Sequence, residues 1–300
     1  MVKVAVAGGT GGIGKHIVEA ILATKKHDVV VLSRSPTHDL LESKGVKIVA
    51  VSYTDAASLD NALQGVHTVI STIGGLDYDS WVTPHLVLLE AAKRAGVKRF
   101  VPSDWSFRGL PNDTIVLYSN KAPVEEAVRK SGLEYTIFEL GVFMNYLASG
   151  TLGAGYLRPL KMVLDVENCT AMIPGDGNAP VVMTRAEDVG AFVAAALDLP
   201  QWPEVSRMAG DRMSYNEVLK IAESVRGKKF AVEYVSLEEL EKRKMADPPS
   251  ILVNFLWEVY EVVIRTDRCG FADANLNEQF PDVKPTKIEA FLREWWAKAD

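Results

Sequence analysis

Five glycines crowd the segment Gly8-Gly9-Thr10-Gly11-Gly12-Ile13-Gly14, which directly follows an apolar run and has the spacing of a phosphate-binding turn. In a turn from strand to helix, the first glycine permits the tight bend, the second admits a pyrophosphate to the backbone, and the third lets the helix pack closely on the strand. The N–H groups and dipole of the following helix then face the phosphate. The segment therefore predicts a dinucleotide site, with an ordinary glycine-rich turn as the alternative. The cofactor contacts predicted here are Gly8, Thr10, Gly11, Gly12, Ile13 and Gly14.

The next candidate is Arg34, which lies about 20 residues beyond the last glycine, where a dinucleotide-binding chain meets the adenosine ribose. An acidic residue there would bind the ribose 2′-hydroxyl and repel a 2′-phosphate, but neither Asp nor Glu ends this strand. A guanidinium beside the hydroxyl of Ser35 does the opposite, because it forms charge-assisted contacts with a phosphate. The sequence therefore predicts NADP(H) as the cofactor in preference to NAD(H). A solvated arginine is the alternative, and Lys44 is a further candidate for positive charge.

Lys121 is the candidate catalytic residue. Together with Val124 and Val128 it falls on one face of a predicted helix, by spacings of three and four residues. That face would aim the lysine toward the interior near the carboxyl edge of the sheet, where ligands of such sheets bind. A lysine at that place holds a ribose hydroxyl of the cofactor or transfers a proton. The alternative is a solvated lysine in the first turn of its helix.

The elements that must position these residues alternate through the first half of the chain. The predicted strands are Val2–Ala7, Asp28–Ser33, Lys47–Val51, Val66–Thr72, Arg99–Pro102 and Tyr135–Leu140. The predicted helices are Gly14–Thr24, Ala56–Leu63, Trp81–Ala95 and Ala122–Ser131. Such alternation indicates right-handed βαβ units. We therefore predict an α/β fold with a Rossmann-type, doubly wound parallel sheet.

The second half of the chain loses this alternation and predicts a smaller α/β lobe. Hydroxyl-x-x-Glu patterns, which favour helix starts, begin at Thr184, Ser214, Ser236 and Thr286. Strand-like pieces lie between them, at 181–183, 205–208 and 230–235. We predict an NADP-binding domain over residues 1–150, to which some later segments return, and a substrate-binding lobe over residues 151–300.

Composition and charge exclude several classes of protein. The 300 residues are 48% hydrophobic and 24% charged, which is typical of a globular chain and not of a disordered or fibrous one. With two cysteines and five scattered histidines, neither a disulfide framework nor a metal site is expected. A net charge of −6 argues against a nucleic-acid partner, and no apolar run is long enough for a membrane span. We expect a cytoplasmic monomer or homodimer whose partner is a small-molecule substrate.

In several segments taken in order, the sequence resembles the NmrA-like and isoflavone-reductase-like group of atypical short-chain dehydrogenases. The segments are VAVAGGTGGIGKHIVEAIL, LSRS, VHTVISTIGG, AGVKRFVPSDWS, Asn120-Lys121 with the helix after it, GVFMN and, more loosely, TRAEDVGAFVAAAL. The resemblance implies an NADPH-dependent reductase in which Lys121 acts near the nicotinamide. It also implies that Thr72 and Ile73 pass beside the cofactor and that Phe143 and Asn145 lie near the nicotinamide. Core packing is the alternative for Phe143.

Two departures from the family pattern concern the reaction. The Tyr-x-x-x-Lys dyad of ordinary short-chain dehydrogenases is absent, because Tyr118 stands three residues before Lys121 and position 117 is a leucine. The family segment Pro-Ser-Glu-Phe-Gly is here Pro102-Ser103-Asp104-Trp105-Ser106, with a shorter acid and a larger aromatic residue. Asp104 and Trp105 are expected to line the substrate pocket, so a substrate identical to those of the family is not expected.

The segment Ser250–Ile264 has apolar residues around most of a helical circumference. Such a helix must be buried on several sides. We expect it to line a substrate cavity with Trp257 and Tyr260 or to belong to the core, and a subunit contact is the third alternative.

These features favour an NADPH-dependent reductase of a small, largely apolar substrate, aromatic or otherwise from secondary metabolism, with Lys121 as proton donor or positioning residue. The alternative is a non-catalytic NADP(H)-sensing regulator that binds a protein partner, as some NmrA-like proteins are. Lys121 discriminates between the two, because the sensors often lack this lysine. An epimerase or dehydratase of the same fold is disfavoured by the missing tyrosine.

Overall fold

The computed structural model describes residues 1–75, 77–107, 116–119, 121–246 and 251–297. Its strands are β1 Lys3–Ala7, β2 Asp28–Ser33, β3 Lys47–Ala50, β4 Thr68–Ser71, β5 Arg99–Val101, β6 Glu134–Tyr135, β7 Ile137–Glu139, β8 Val142–Phe143, β9 Leu164–Asp165, β10 Thr170–Pro174, β11 Pro180–Thr184, β12 Val205–Arg207, β13 Asp211–Ser214 and β14 Ala231–Val235. Its α-helices are α1 Gly12–Thr24, α2 Asp39–Glu42, α3 Ala56–Ala62, α4 Tyr78–Arg94, α5 Val116–Ser119, α6 Lys121–Lys130, α7 Ala186–Ala196, α8 Tyr215–Arg226, α9 Leu237–Ala246, α10 Ile251–Arg265, α11 Asn275–Gln279 and α12 Ile288–Trp296. Short 3-10 helices cover Met144–Ala148, Leu152–Ala154 and Arg268–Gly270. Asn120, which carries part of the family resemblance, lies outside the described residues.

The chain forms two compact units that interleave along the sequence. The first comprises Met1–Glu139 and Val189–Ser206, and the second comprises Leu140–Asp188 and Arg207–Asp300. The first stretch of the first unit ends at Glu139, before the predicted boundary at residue 150. The later segment Val189–Ser206, which includes most of α7, also belongs to this unit. Gly190 of α7 packs on α1 so closely that a Cβ would lie 2.7 Å from the carbonyl oxygen of His16.

Six of the described strands form one sheet in the first unit, in the order β3-β2-β1-β4-β5-β6. Every neighbouring pair in it is parallel. This order and direction confirm the predicted doubly wound, Rossmann-type sheet. The strand order reverses between β1 and β4, and sheets of this kind bind ligands at the carboxyl ends of the strands beside that point.

Apolar strands and the apolar stripe of α1 build the core around β1. Ala5 and Val6 of β1 are fully buried, as expected of a strand that is covered on both faces. Ile17, Val18 and Ile21 of α1 are fully buried as well. Each branched side chain buried in this way stabilises the fold by about 1.5–3 kcal/mol. The packing of α1 on β1 fixes the turn that joins them, which is the glycine segment.

The predicted sixth strand, Tyr135–Leu140, divides in the structure. β6 joins the parallel sheet beside β5, whereas β7 pairs with β12 in a separate two-stranded sheet. Thr136 stands at the division, and its buried hydroxyl lies 2.7 Å from the hydroxyl of Ser206. The next N–H group, that of Ile137, donates to the carbonyl of Glu204. The segment Tyr135–Leu140 carries no local signal for such a change of partner, so the sequence predicted one strand.

The second unit has two small sheets among its described residues, β14-β10-β9 and β13-β11-β8. The predicted helix start at Ser214 is confirmed, because its hydroxyl accepts the N–H of Glu217 and its own N–H donates to the Glu217 carboxylate. The predicted start at Thr286 is wrong. α12 begins after Lys287, and the N–H of Thr286 donates to the carboxylate of Asp188.

The predicted apolar helix near the C-terminus is α10, and one of its sides is charged. Val259, Tyr260 and Val262 are buried, whereas Glu261 forms ion pairs with Lys244 and Arg265. In the part of the chain that the structure describes, no helix is both long and apolar enough to cross a membrane.

Candidate functional site

Two glycines of the loop after β1 are required by the packing of the loop itself. Gly8 has a φ of +77°, which side chains rarely adopt, and a Cβ there would lie 2.9 Å from the carbonyl oxygen of Thr72. A Cβ on Gly14 would lie 2.6 Å from both the carbonyl oxygen of Gly8 and the hydroxyl of Thr72. That hydroxyl donates to the carbonyl of Ala7. The loop therefore folds back on the end of β4, and Thr72 supports it.

Gly11 is less constrained than these two glycines, because its φ is ordinary and only one backbone atom would contact a side chain there. Its φ is −86°, and a Cβ there would meet only the carbonyl oxygen of Gly8, at 3.2 Å. It is the exposed N-cap of α1, and its position offers no side chain to bond the first N–H groups of the helix, which begins with Gly12 and Ile13. Those N–H groups have no partners within a helix and are suited to an anion. The backbone around Gly11 thus fits a pyrophosphate.

Tyr53, which the sequence did not point to, ties the start of the loop to β2. Its hydroxyl accepts the N–H of Gly8 at 3.1 Å and donates to the carbonyl of Leu32 at 3.0 Å. Burial raises the pKa of Tyr53 to about 12, so the hydroxyl stays protonated and keeps both bonds at neutral pH. No local motif signals a tyrosine this far along the chain from the loop that it holds.

The end of β2 places hydroxyl groups and a guanidinium beside the loop. The hydroxyl of Ser33 accepts the N–H of Ser35 at 3.1 Å and lies 3.4 Å from the hydroxyl of Thr10. Arg34 is exposed, and within the described residues it forms no ion pair. Lys44 does form one, with Glu19. Arg34 rather than Lys44 is therefore the cation with charge to offer an anionic ligand here.

Lys121 opens α6 and is only 4% exposed, which excludes the alternative of a solvated lysine. Its ammonium donates to the hydroxyl of Ser106 at 2.8 Å and to the carbonyl of Phe107 at 3.0 Å. It also forms an ion pair with Asp104 and lies 4.9 Å from the centre of the Tyr118 ring. An ammonium has three N–H donors, and these three oxygens engage all of them.

Two buried carboxyl groups accompany Lys121. Asp104 is 2% exposed, and its pKa is raised well above the usual range because burial outweighs the opposing effect of Lys121, with the neighbouring Glu125 raising it further. Glu125 lies one turn after Lys121 on α6, is 2% exposed, and pairs with Arg129 at 2.9 Å. The sequence analysis missed Glu125, although residues four apart on a helix share a face.

Trp105 connects the segment that carries Asp104 and Ser106 to the end of β4. It is 8% exposed, and its Nε1 donates to the carbonyl of Ser71 at 2.9 Å. Its ring stacks on that of Phe138, with 5.5 Å between the centres and 11° between the planes. The segment after β5 therefore lies against the end of β4, where half-buried Thr72 and buried Ile73 follow. The structure thus brings the loop, Thr72, Trp105 and Lys121 to one edge of the sheet.

Phe143 and Asn145, the other predicted cofactor contacts, belong to the second unit. The ring of Phe143 is half-buried and meets the ring of Tyr146 edge-on, with 6.0 Å between the centres. Asn145 is fully buried; its amide NH₂ donates to the carbonyl of Gly153 and the carboxylate of Glu187, and its oxygen accepts the N–H of Ala186. Asn145 thus has a structural role within its unit, and the cofactor contacts of both residues stay predictions.

Phe143 and Tyr146 also line a cavity of about 20 Å³ in the second unit, together with Val142, Leu147, Met162, Val163, Leu164, Met183 and Tyr215. That volume holds about one water molecule. The hydroxyl of Tyr146 is the polar group of interest here, because burial raises its pKa to about 12. The sequence analysis did not single out this tyrosine.

Trp257 and Tyr260, predicted to contact substrate, lie on α10. Tyr260 is 1% exposed, and its hydroxyl lies 2.8 Å from the carbonyl of Met162 and 2.6 Å from that of Met172. The half-buried Trp257 packs edge-on against it, with 5.6 Å between ring centres. This arrangement supports the core alternative for Tyr260, and the substrate contacts of both residues stay predictions.

Comparison with known proteins decides the family. The model of the NmrA-like family matches residues 2–292. The chain belongs to the NmrA-like family. It is 36% identical over 304 residues to oxidoreductase BOA1 of Botryotinia fuckeliana, with 98% of each chain covered. It is 30% identical over 313 residues to phenylcoumaran benzylic ether reductase PT1 of Pinus taeda, with 97% of each covered.

A solved structure of AtPrR2 with NADP⁺ and (+)pinoresinol has the same fold. It superposes with a TM-score of 0.78 at 25% identity, and the match covers 98% of both chains. The NmrA-like protein is thus an oxidoreductase of the isoflavone-reductase-like group, as the resemblance implied. The cofactor in that related structure is the one that Arg34 predicts.

Proposed function

We propose that the protein is an NADPH-dependent reductase of a small, largely apolar aromatic substrate and that Lys121 is its catalytic residue. The observation that carries the proposal is the burial of Lys121 at the same sheet edge as the glycine loop. A buried ammonium is costly and needs several partners. Its engagement by Asp104, Ser106 and Phe107 supports a role in chemistry rather than a surface role.

The residues at the sheet edge fit NADPH. The start of α1, where the exposed Gly11 provides no side-chain cap, suits the pyrophosphate, and Arg34 suits the 2′-phosphate. Thr10, Ser33 and Ser35 surround the same strand end with hydroxyl and N–H groups. When bound, the cofactor supplies a hydride.

Lys121 would supply the matching proton. When a hydride adds to one atom of the bond that is reduced, the negative charge develops on the atom at the other end of that bond, an oxygen or a carbon. An ammonium within hydrogen-bond reach of that atom stabilises the charge and then neutralises it by proton transfer. The buried surroundings of Lys121 keep competing water away from the transfer.

The substrate class rests on the relatives. Two of them are named for reduction of a benzylic ether and for binding of (+)pinoresinol, both of which are aromatic. The change from Glu-Phe to Asp104-Trp105 in this chain argues against an identical substrate. We therefore expect activity on an aromatic ether, enone or ketone of similar size.

The proposal is tested by NADPH oxidation against a panel of such compounds, with purified wild-type protein, Lys121→Ala and Lys121→Arg. Loss of a general acid lowers turnover about 10²–10⁴-fold. Arginine keeps the charge but does not release its proton near neutral pH, so it fails like alanine if Lys121 transfers a proton and rescues partly if Lys121 only positions the cofactor. Lys130→Ala, at the exposed end of the same helix, is the matched control and should behave as wild type.

A primary isotope effect with deuterated NADPH must first show that chemistry limits turnover, because slow product release would conceal a damaged step. Near-full turnover by Lys121→Ala under that condition contradicts the catalytic role. If the protein binds both NADP⁺ and NADPH tightly but no compound causes oxidation of NADPH, the result would instead support the alternative function, a non-catalytic NADP(H)-sensing regulator.

A further inference from the structure

Ser106 offers the Lys121 ammonium a hydroxyl group, which both accepts and donates a proton. The oxygen of Ser106 accepts an N–H of Lys121 at 2.8 Å. The carbonyl of Phe107, 3.0 Å from the same nitrogen, accepts but has no proton to pass on. Tyr118 presents its ring to the ammonium. Within the described structure, a proton of Lys121 therefore has two outlets, Ser106 and the paired Asp104.

Ser106 is the more accessible of these two partners. Asp104 is 2% exposed and Lys121 is 4% exposed, whereas Ser106 is half-buried. The hydrogen bond from Lys121 to Phe107 is buried, but the one to Ser106 is only partly buried. A ligand can therefore contact the hydroxyl of Ser106 while the ammonium behind it stays enclosed.

The hydroxyl proton of Ser106 is weakly held by the protein itself. Its acceptor is the carbonyl of Phe107, at 3.5 Å, whereas an ordinary O–H···O bond spans about 2.5–3.0 Å. Apart from this bond and the one from Lys121, the Ser106 side chain makes no hydrogen bond in the part of the chain that the structure describes. Lys121 thus orients the oxygen, and the proton is available to a substrate atom.

Two backbone interactions hold Ser106 in this place. Its N–H donates to the carbonyl of Asp104, and the residue forms a parallel β-bridge with Glu139 of β7. A backbone held in this way keeps the hydroxyl close to the ammonium, as proton transfer requires. Ser106 also stands where the family segment has a glycine, so the family resemblance does not imply this hydroxyl.

We infer that Ser106 is a catalytic residue that relays the proton of Lys121 to the substrate. The inference deepens the proposed function and rests on it for the reaction step. As the substrate accepts the hydride, the Oγ–H bond of Ser106 breaks, and its proton goes to the substrate atom that develops the negative charge. An N–H bond of Lys121 breaks at the same time, and that proton goes to Oγ. The serine ends as a hydroxyl and the lysine as a neutral amine, to which solvent returns a proton through the same hydroxyl.

The relay requires no rearrangement of the Lys121 ammonium. Lys121 would contact a substrate directly only by releasing one of its three partners, Asp104, Ser106 or Phe107. Through Ser106, the proton instead follows a hydrogen bond that already exists. Because Oγ gains one proton as it gives up another, no charge builds up on the serine, which is too weak an acid to act alone.

Ser106→Val and Ser106→Thr are the matched variants for the test. Valine and threonine have nearly the same shape, and only threonine has a hydroxyl. Valine also fills the space of the hydroxyl, so that water does not take its place. Both β-branched residues suit a position in a β-bridge. Ser131→Ala is the control, because Ser131 is another half-buried serine whose hydroxyl donates to a backbone carbonyl, at the end of α6.

The first measurement is the exchange of the Lys121 ammonium protons with solvent, by NMR on protein with ¹⁵N-labelled lysine and without cofactor or substrate. The Lys121 signal is identified by its absence from Lys121→Arg. Ser106→Val should slow the exchange about tenfold or more, because the outlet is removed. Ser106→Thr and Ser131→Ala should exchange like wild type. If Ser106 only supports Lys121, its loss loosens the ammonium, and unchanged or faster exchange in Ser106→Val overturns the relay.

The second measurement is kcat under conditions where chemistry limits turnover. Ser106→Val should lower kcat about 10²-fold or more, whereas Ser106→Thr should stay within about threefold of wild type. In mixtures of H₂O and D₂O, the rate of wild type should depend on the D₂O fraction along a curve, because two protons move in one step. A linear dependence in wild type, or near-full turnover by Ser106→Val, overturns the relay.

The two measurements separate the relay from the proposed function. If Lys121→Ala loses turnover and Ser106→Val keeps it, the proposed function stands and the relay is wrong. If wild type reduces no compound, the proposed function is wrong, and the exchange measurement still decides whether Ser106 passes protons from Lys121. Circular dichroism and NADPH binding show that each variant is folded, and the solvent isotope measurement on wild type depends on no variant.

Discussion

Replacement of Arg34 by alanine should weaken NADPH binding selectively. Arg34 is exposed at the end of β2, and within the described residues nothing neutralises it. The substitution therefore breaks no internal contact and should leave the fold intact. A change in the affinity for NADPH without a change in the affinity for NADH therefore reports on the 2′-phosphate, which NADH lacks.

The size of the effect follows from one charge-assisted contact, worth about 1.5–3 kcal/mol. Because the site is exposed, screening by salt favours the lower part of that range at physiological ionic strength. We expect the Kd for NADPH to rise about 10–30-fold in 0.15 M salt and more at low salt, since 1.4 kcal/mol is tenfold. The Kd for NADH should change less than twofold.

Isothermal titration calorimetry of both cofactors at two salt concentrations measures this directly. Lys44→Ala is the matched control, because Lys44 is the other candidate cation of the sequence analysis and Glu19 already compensates its charge. It should leave both affinities nearly unchanged. Equal losses for NADPH and NADH in Arg34→Ala, or an effect of Lys44→Ala as large as that of Arg34→Ala, would refute the assignment of the 2′-phosphate to Arg34.

Two further predictions follow from the fold. Gly11→Val should abolish binding of both cofactors while the far-ultraviolet spectrum stays that of wild type. A Cβ at Gly11 contacts only the carbonyl oxygen of Gly8, at 3.2 Å, so a small shift accommodates it in the free protein, whereas the side chain would occupy the place of the pyrophosphate. Normal binding by this variant would place the phosphate elsewhere. His85 is fully buried, and burial lowers its pKa to about 4. As pH falls below 6.5, the imidazole is therefore protonated in the unfolded chain before it is protonated in the folded one. The free energy of unfolding should decrease by about 3 kcal/mol between pH 6.5 and pH 4 because of this group. His85→Asn keeps a donor for the Trp81 carbonyl and removes the titration, so urea unfolding across that range should show a shallower pH dependence.

The cofactor half of the site was predictable because backbone geometry dictates it. The turn at Gly8, the close packing at Gly14 and the exposed helix start at Gly11 each need a particular residue type at a fixed spacing. Those requirements leave a local signal in the sequence. The position of Arg34 was predictable for the same reason, because β1 and β2 are neighbours in the sheet and their ends place Arg34 beside the loop.

The reaction half was only partly predictable, because its partners come from separate segments. Lys121 was found through its helical face and the family resemblance, but its contacts with Ser106 and Phe107 depend on how the segment after β5 folds. Trp105 was expected in a substrate pocket, yet its indole N–H donates to β4 and its ring stacks on Phe138. Residue type indicated that these side chains matter but not which neighbour each one meets.

The number of N–H donors on Lys121 limits how this residue can reach a cofactor or a substrate. All three N–H groups are engaged, two by the neutral oxygens of Ser106 and Phe107 and one by Asp104. To reach a substrate or a ribose hydroxyl, Lys121 must release one of them. An ionised carboxylate would hold this N–H more strongly than a neutral carboxyl group does, and burial raises the pKa of Asp104 toward the neutral form. The burial that raises the pKa of Asp104 therefore also favours the release of one Lys121 donor to a ligand.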